Sequence, residues 1–360
     1  MPALPNAMKG YVLTGFGGKD KLQWREDLPI PNPGEGEVLI EVAASSVNNT
    51  DINARIGWYS KAVTGGTVEA EAKMTPDTAA ILQDWVVNPH LFPRIQGADC
   101  CGRIAAVGPG VDPARVGQRV IVRACQIKGP ADSPDSFFVF GGGADGAFAD
   151  YAKVRSRDAF AIDSRLSDIE LAAIPVAYST AEGMFDRVRL AKERVLITGA
   201  SGGVGSAAVT LAKRRGATVV ALASPDKAAA VKAMGADEVL PRDAALEARS
   251  FDVVVDLVAG ARWPDLIAAL RRGGRYVTAG AIAGPHVTLD LRDLYFNDLT
   301  FFGTTFQPDH IFPDLVGYIE RSEIKPPPIA RTFALKDLPQ AQEAFLAKSY
   351  VGKIAIEVKK

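Results

Sequence analysis

The arrangement of hydrophobic and polar positions changes once along the chain, near residue 155. Before that point, short β-prone runs at 8–13, 38–42, 101–108 and 118–122 are separated by turns rich in Gly and Pro. Closely spaced strands of this kind predict an antiparallel or mixed, barrel-like domain.

Beyond residue 155, apolar strands alternate with amphipathic helices. Ser167 can cap a predicted helix that runs to about Arg189, and strands at 194–198 and 217–222 flank a predicted helix at 204–215. Because alternating strands and helices join parallel strands by right-handed crossovers, this half of the chain predicts a parallel sheet with helices packed on it.

The β-rich pattern returns at the end of the chain. Three consecutive prolines at 326–328 interrupt it, and residues 353–358 form a last predicted strand. We therefore predict an α/β protein of two domains. Residues 1–155 plus 308–360 form a β-rich domain, and residues 156–307 are inserted between its two parts.

Composition and charge narrow the class of protein. The 360 residues are 48% hydrophobic and 23% charged, and their net charge of −1 supplies no field that would attract nucleic acid or an anionic membrane. The chain has three cysteines, and its start does not resemble a secretory signal. No apolar run approaches the roughly 18 residues that span a bilayer. These features predict a soluble cytoplasmic protein. We expect its partner to be a small-molecule substrate.

A glycine-rich turn at 199–205 carries the first chemical signal. It has the sequence Gly-Ala-Ser-Gly-Gly-Val-Gly, follows a predicted strand and opens a predicted helix. A helix N-terminus offers free N–H groups and a favourable dipole to anions, and glycine lets a pyrophosphate approach the backbone closely. The turn therefore predicts dinucleotide binding.

The end of the next predicted strand selects the cofactor. Dinucleotide sites specific for NAD usually have an acidic residue at the end of this strand, whereas this chain has Ala223-Ser224-Pro225-Asp226-Lys227. We expect Asp226 to start the next helix. Ser224 can donate to a 2′-phosphate, and Lys227 and Arg242 can supply positive charge. We predict NADPH; the alternative is that Lys227 and Arg242 are solvated surface charges.

Several motifs in order resemble the medium-chain dehydrogenase/reductase superfamily, and most closely its quinone oxidoreductase branch, over about residues 8–358. They are Gly97-Ala98-Asp99-Cys100-Cys101-Gly102, the segment from Val107 to Val120, Asp145-Gly146-Ala147-Phe148-Ala149-Asp150-Tyr151, and Ser46-Val47-Asn48-Asn49-Thr50-Asp51 with Arg55, Gly57 and Tyr59. The resemblance implies a Rossmann doubly wound domain inserted in a GroES-like partial barrel.

The same resemblance speaks against a catalytic zinc. At the three ligand positions of the zinc alcohol dehydrogenases this chain has Asn48, Ala98 and, near the third, Val176. Asparagine is a poor zinc ligand, and the other two side chains have no donor atom. Only Cys125 stands where a structural zinc lobe needs four cysteines, so we predict no metal.

Without zinc, hydrogen-bond donors must polarise the hydride acceptor. The resemblance suggests Asn48 at the lost ligand position, Thr50 as a relay hydroxyl and Tyr59 as a proton donor. The alternatives are that Asn48 satisfies backbone groups in a bent strand, that Thr50 packs within the β structure, and that Tyr59 is half-buried core.

Extra length between Gly57 and Gly97 departs from the compact quinone reductases. Residues 60–92 include a predicted helix at 78–85, and Trp58, Tyr59, Trp85 and Phe92 cluster around it in sequence. We hypothesise that this insertion walls the substrate pocket; the alternative is a surface embellishment or an oligomer contact.

These observations predict a zinc-independent, NADPH-dependent oxidoreductase of quinones or α,β-unsaturated carbonyls. The alternatives are a zinc-free alcohol dehydrogenase or ketone reductase acting at C=O, and a non-catalytic NADPH-binding protein. The apolar strand at 299–306 resembles the family's dimer edge and predicts a homodimer. The predicted cofactor-binding residues are Thr180, Ser201, Gly202, Gly203, Val204, Ser224, Lys227, Arg242, Ala281 and Ile282.

Overall fold

The computed structural model describes residues 4–73, 92–128 and 137–359. Its strands are β1 (Met8–Leu13), β2 (Leu22–Leu28), β3 (Glu37–Ser46), β4 (Cys101–Val107), β5 (Arg119–Val122), β6 (Cys125–Ile127), β7 (Phe137–Val139), β8 (Tyr151–Arg155), β9 (Ala159–Ala161), β10 (Arg194–Ile197), β11 (Thr218–Leu222), β12 (Glu238–Leu240), β13 (Phe251–Asp256), β14 (Leu270–Thr278), β15 (Thr300–Gly303), β16 (Ile329–Ala334) and β17 (Lys353–Glu357). Its α-helices are Asn49–Arg55, Thr67–Ala72, Asp168–Ala172, Pro175–Val188, Gly203–Arg214, Ala228–Ala233, Trp263–Ala268, Leu291–Phe296, Ile311–Glu320 and Leu338–Leu346.

Six strands form the predicted parallel sheet, in the order β12-β11-β10-β13-β14-β15. All five neighbouring pairs are parallel. The order reverses between β10 and β13, which is the doubly wound arrangement in which ligands bind outside the carboxyl ends of the strands. The structure therefore confirms the predicted fold class.

Both chain ends meet in the second large sheet. Its order is β16-β17-β3-β4-β5-β9, and β8 also pairs with β3. β17 belongs to the last ten residues of the chain and β3 to its first fifty, and the two strands pair in antiparallel orientation. The helix Ile311–Glu320 packs against Pro175–Val188 of the inserted part, so the predicted domain boundary at residue 308 stays a prediction.

The predicted helix from Ser167 to Arg189 is two helices. Ser167 caps the first as expected: its Oγ accepts from the Glu170 N–H at 3.2 Å, while Glu170 Oε2 accepts from the Ser167 N–H at 2.8 Å. The second helix begins at Pro175, whose missing N–H costs nothing at a first helical position. The proline thus divides one apolar pattern into two helices.

The hydrophobic core of the inserted domain lies between its parallel sheet and the helices that cover the sheet. Val195, Ile197, Val253 and Val255 on the central strands are fully buried, as expected for parallel strands covered on both faces. Among the described residues, no helix is long and apolar enough to cross a membrane.

Candidate active site

The glycine turn links β10 to the helix Gly203–Arg214. Gly199 has φ +59°, a conformation that side chains other than glycine rarely adopt, and a Cβ on Gly205 would lie 2.1 Å from the Gly199 carbonyl oxygen. The first N–H groups of an α-helix have no partner within the helix. The turn therefore has the close packing and the free donors that the pyrophosphate of a nicotinamide dinucleotide requires, and such a cofactor fits it.

Cationic side chains gather near the carboxyl end of β11. Lys227 is buried, and its Nζ donates to the backbone carbonyl of Lys348. Burial and the charge of Arg242 both lower the pKa of Lys227. Burial, with the charges of Lys227 and Lys353, lowers the pKa of Lys348 to about 7. Mutually repelling cations held this close favour an anionic ligand.

Lys348 has a well-defined position in this group. Its Nζ donates to Asn49 Oδ1 at 3.2 Å and lies 3.6 Å from the centre of the Phe345 ring. Its backbone has φ +51°, so its carbonyl turns toward Lys227. The C-terminal segment thus places a second lysine beside the predicted cofactor ribose.

Asn48 lies in a buried polar network beneath the glycine turn. Its Nδ2 donates to Asp99 Oδ2 at 2.7 Å and to the Ser46 carbonyl at 3.3 Å. Its Oδ1 accepts from Lys353 Nζ at 2.6 Å, and that ammonium also donates to Asp99 at 2.9 Å. All of the hydrogen-bonding groups of the Asn48 amide are therefore engaged within the protein.

The final strand connects this network to the glycine turn. The Gly352 N–H donates to the Ser201 carbonyl at 2.9 Å. A Cβ on Gly203 would come within 2.7 Å of the Lys353 side chain. The glycine turn and the polar network therefore share one wall, which is built by Gly352 and the start of β17.

Asp51 sits behind Asn48 and is 3% exposed. Its carboxylate accepts from the Asn48 N–H at 2.8 Å and from the Gly97 N–H at 3.3 Å. Burial is the largest influence on this group, and with the nearby charge of Asp99 it raises the pKa of Asp51 to about 7. Asp51 is thus a carboxyl group that titrates near neutral pH.

The structure brings two of the predicted catalytic hydroxyls together. The Tyr59 hydroxyl donates to Thr50 Oγ1 at 3.4 Å, and both side chains are half-buried. Burial raises the pKa of Tyr59 above its usual value, while the hydrogen bonds that Tyr59 makes with Thr50 and Asn53 oppose this effect. The phenol is therefore protonated at neutral pH.

The donor set does not fit zinc. Asn48 Oδ1 is taken by the Lys353 ammonium, whose charge would repel a metal cation, and Ala98 and Val176 have no side-chain donor. Within the described ranges, no group of three or more His, Cys, Asp or Glu side chains could hold a metal ion. His90 lies outside the described residues.

The remaining predicted residues have varied surroundings. Thr180 lies in a helix and donates to the Val176 carbonyl at 2.7 Å. Ser224 interacts with the side chain of Asp226, lowering the pKa of that carboxyl. Ala281 and Ile282 are half-buried in the loop after β14, and the Ile282 carbonyl accepts from the Thr67 N–H. The predicted helix at 78–85 lies outside the described residues.

Sequence reasoning did not identify Lys348 and Lys353 as candidate site residues. From the sequence, Lys353 is only the first residue of the last predicted strand. It is 2% exposed, and lysine is almost never fully buried without a partner. A lysine at the start of an apolar run is a weak indication of a buried charge. Its partner Asp99 comes within reach only because β17 pairs with β3.

Two family models match the chain. The model described as "Alcohol dehydrogenase GroES-like domain" matches residues 34–164, and the one described as "Zinc-binding dehydrogenase" matches residues 203–321. The two matches fall on the two sheets described above.

Relatives of known structure or sequence cover most of the chain. A solved structure from Sinorhizobium meliloti 1021, described provisionally as an alcohol dehydrogenase, is 41% identical, has a TM-score of 0.89, and matches over 99% of this chain and 98% of its own. Quinone oxidoreductase of Lama guanicoe is 27% identical over 83% of this chain and 80% of its own length. The spectinabilin polyketide synthase system protein NorB of Streptomyces orinoci is 31% identical over 73% of this chain, which spans 12% of that protein.

Proposed function

Because the chain belongs to the medium-chain dehydrogenase/reductase superfamily, in its quinone oxidoreductase-like branch, we propose that it is a zinc-independent, NADPH-dependent oxidoreductase. It reduces a quinone or an α,β-unsaturated carbonyl by hydride transfer. The observation that carries the proposal is the glycine turn with cationic side chains beside it, at the edge where parallel sheets bind their ligands.

The preference for NADPH rests on charge. Lys227, Lys348 and Arg242 form a group around the end of β11, where the cofactor's adenosine ribose would lie. A 2′-phosphate would neutralise these charges and accept charge-assisted hydrogen bonds from them. The unphosphorylated cofactor would lack this phosphate and would leave Lys227 and Arg242 with the exposed carboxylate of Asp226 beside them.

The chain's own residues must hold the acceptor and supply a proton. When bound, NADPH would supply the hydride. Tyr59 stays protonated near neutral pH and is bonded to Thr50, so we propose that this pair protonates the reduced acceptor. Hydride and proton together complete a two-electron reduction. We assign Asn48 a positioning role, because its amide is bonded to Asp99, Lys353 and Ser46.

A second candidate is a zinc-free alcohol dehydrogenase or ketone reductase acting at C=O. The observation that favours it is the 41% identity to the Sinorhizobium meliloti protein. A non-catalytic NADPH-binding protein is the alternative from another class. In each case we infer a cytoplasmic homodimer with a small-molecule ligand.

Turnover separates these functions. Purified protein is assayed by loss of reduced-nicotinamide absorbance with 1,4-benzoquinone, 9,10-phenanthrenequinone, 2-hexenal, a crotonyl thioester and cyclohexanone, using NADPH and NADH in parallel. Quinone or enal reduction with a preference for NADPH is expected. Turnover of cyclohexanone alone would support the second candidate. Tight NADPH binding without turnover would support the binding protein.

Lys348 provides the test of cofactor choice. We expect Lys348→Met to raise the Kd for NADPH about tenfold, because one charged hydrogen bond is lost, and to leave the Kd for NADH unchanged. Lys348→Arg keeps the charge and is the matched control. The wild-type affinity should fall as pH rises through about 7, where Lys348 loses its proton, whereas the arginine variant should not show this fall. Equal Kd values for wild type and Lys348→Met would contradict the assignment.

A further inference from the structure

A short segment of the insertion, residues 65–71, bridges the two domains beside the proposed active site. The Thr67 N–H donates to the Ile282 carbonyl at 3.1 Å, across from the loop that follows β14. A Cβ on Gly66 would lie 2.6 Å from the same oxygen. Only glycine at position 66 allows the two backbones to approach so closely.

The segment is also fixed to the β-rich domain. Trp58 Nε1 donates to the Gly65 carbonyl at 3.0 Å. The fully buried Arg55 donates to Glu71 Oε1 at 3.0 Å. Because these anchors lie on either side of Thr67, its position is set by the β-rich domain, and its backbone then meets the cofactor-binding domain.

The side chain of Thr67 extends this contact into the active site. Its Oγ1 donates to Asn53 Oδ1 at 3.1 Å, and the two residues are 1% and 5% exposed. Asn53 in turn hydrogen-bonds the Tyr59 hydroxyl and lowers the pKa of Tyr59 against the larger effect of burial. Tyr59 donates to Thr50. A continuous path of hydrogen bonds therefore joins the Ile282 backbone to the Tyr59–Thr50 pair.

We propose that Thr67 is a positioning residue that couples the cofactor loop to Tyr59 through the Asn53 amide. This inference rests on the proposed function and adds a residue to it. The Thr67 hydroxyl holds Asn53 Oδ1 toward itself, so the Asn53 NH₂ group faces the Tyr59 oxygen. Without that hydroxyl the amide is free to rotate and present Oδ1, an acceptor that would draw the Tyr59 proton away from Thr50.

The coupling predicts how the active site responds to its cofactor. The Ile282 loop lies at the sheet edge where the nicotinamide is expected. A change in that loop would move the Thr67 backbone and, through Asn53, the proton of Tyr59. The insertion thereby takes part in aligning the proton donor and does not only wall the pocket.

Thr67→Val tests the proposal because valine has nearly the same shape, lacks the hydroxyl and keeps the backbone N–H. Thr67→Ser restores the hydroxyl and is the matched control. With an active acceptor and NADPH, we expect Thr67→Val to lower kcat about tenfold, as for a lost buried hydrogen bond, with the Kd for NADPH unchanged. Thr67→Ser should stay within about twofold of wild type.

A second measurement does not depend on turnover. A fluorinated tyrosine is incorporated at position 59, and its ionisation is followed by fluorine NMR in the wild type and in both Thr67 variants. The pKa at position 59 should be higher in Thr67→Val than in Thr67→Ser, because Asn53 no longer donates steadily to the phenolate. Thermal melts verify that both variants are folded.

The outcomes are separable. Identical kcat values and identical fluorine titrations for the two folded variants would overturn the role of Thr67. Failure of the wild type to reduce any acceptor would count against the proposed function, while the NMR titration would still decide whether Thr67 controls Tyr59.

Discussion

At the residue scale, the site is organised around a buried ion pair between Lys353 and Asp99. Lys353 and Asp99 are 2% and 0% exposed, and their Nζ–Oδ2 distance is 2.9 Å. Removing one member of such a pair leaves an unpaired buried charge, which is strongly destabilising. The Asn48 amide hydrogen-bonds to both Lys353 and Asp99, so this ion pair sets the orientation of the amide. We therefore expect variants of Lys353 or Asp99 to affect folding as well as activity.

Asp51 makes stability depend on pH. Its folded pKa of about 7 exceeds the ordinary value of 3.8. The protonated form is therefore favoured by folding, and its contribution is complete below about pH 4 and is lost as pH rises through 7. The full effect is on the order of a few kcal/mol. We expect Asp51→Asn, which cannot ionise, to gain stability relative to wild type between pH 5 and 8, measured by urea unfolding.

Asp20→Asn is the control for this prediction, because the Asp20 carboxylate is 69% exposed. Over the same pH range, Asp51→Asn should show the larger change in its difference from the wild-type free energy of unfolding, because its carboxyl group is the buried one. A pH-independent difference for Asp51→Asn would contradict the assigned titration.

At the element scale, β15 ends the parallel sheet. It pairs with β14 on one side, and in the described part of the chain no strand pairs with its other side. The neighbouring helix Leu291–Phe296 exposes three apolar side chains, with Leu291 64%, Tyr295 57% and Phe296 62% exposed. An open strand edge beside an apolar surface favours association with another copy of the chain.

The predicted homodimer can be disrupted at this helix. We expect wild-type protein to have the mass of two chains by light scattering at micromolar concentration. The double variant Leu291→Asp with Phe296→Asp should have the mass of one chain, because two charges would be buried at the interface. Leu4→Asp, at another exposed apolar position, should remain a dimer. A wild-type monomer would refute the prediction.

At the scale of the whole molecule, two domains meet along the proposed site. The β-rich domain supplies Asn48, Thr50 and Tyr59, and the inserted domain supplies the glycine turn. Contacts across the boundary include Thr67 with Ile282 and Gly352 with Ser201. A ligand that binds across such a boundary stabilises both domains together.

Cofactor and chelator should therefore act differently on the whole molecule. Saturating NADPH should raise Tm, because it binds only the folded protein. Prolonged dialysis against EDTA or 1,10-phenanthroline should leave Tm and kcat/KM unchanged, because the donor set around Asn48 does not fit zinc. About one zinc per chain by metal analysis, with activity lost on chelation, would contradict this prediction.

The sequence by itself determined the fold class and the position of the glycine turn. Strand–helix alternation is a local pattern, and the glycine turn at 199–205 is a local motif whose strand and helix are adjacent in sequence. For this reason the predicted strands at 194–198 and 217–222 agree with β10 and β11 to within one residue at each end. A local signal also indicated the cap at Ser167.

Only the tertiary structure decided which side chains meet in the site. Lys353 reaches Asp99 across 254 positions of sequence, and Lys348 reaches Asn49 across 299. Such contacts depend on how β17 returns to β3 and leave no periodic pattern in the chain. The same holds for Thr67 and Ile282, whose hydrogen bond exists because the two domains bring these two backbones together. The family resemblance could thus suggest Asn48 and Tyr59, whereas the orientation of both side chains and the pKa of Tyr59 depend on partners that only packing brings together.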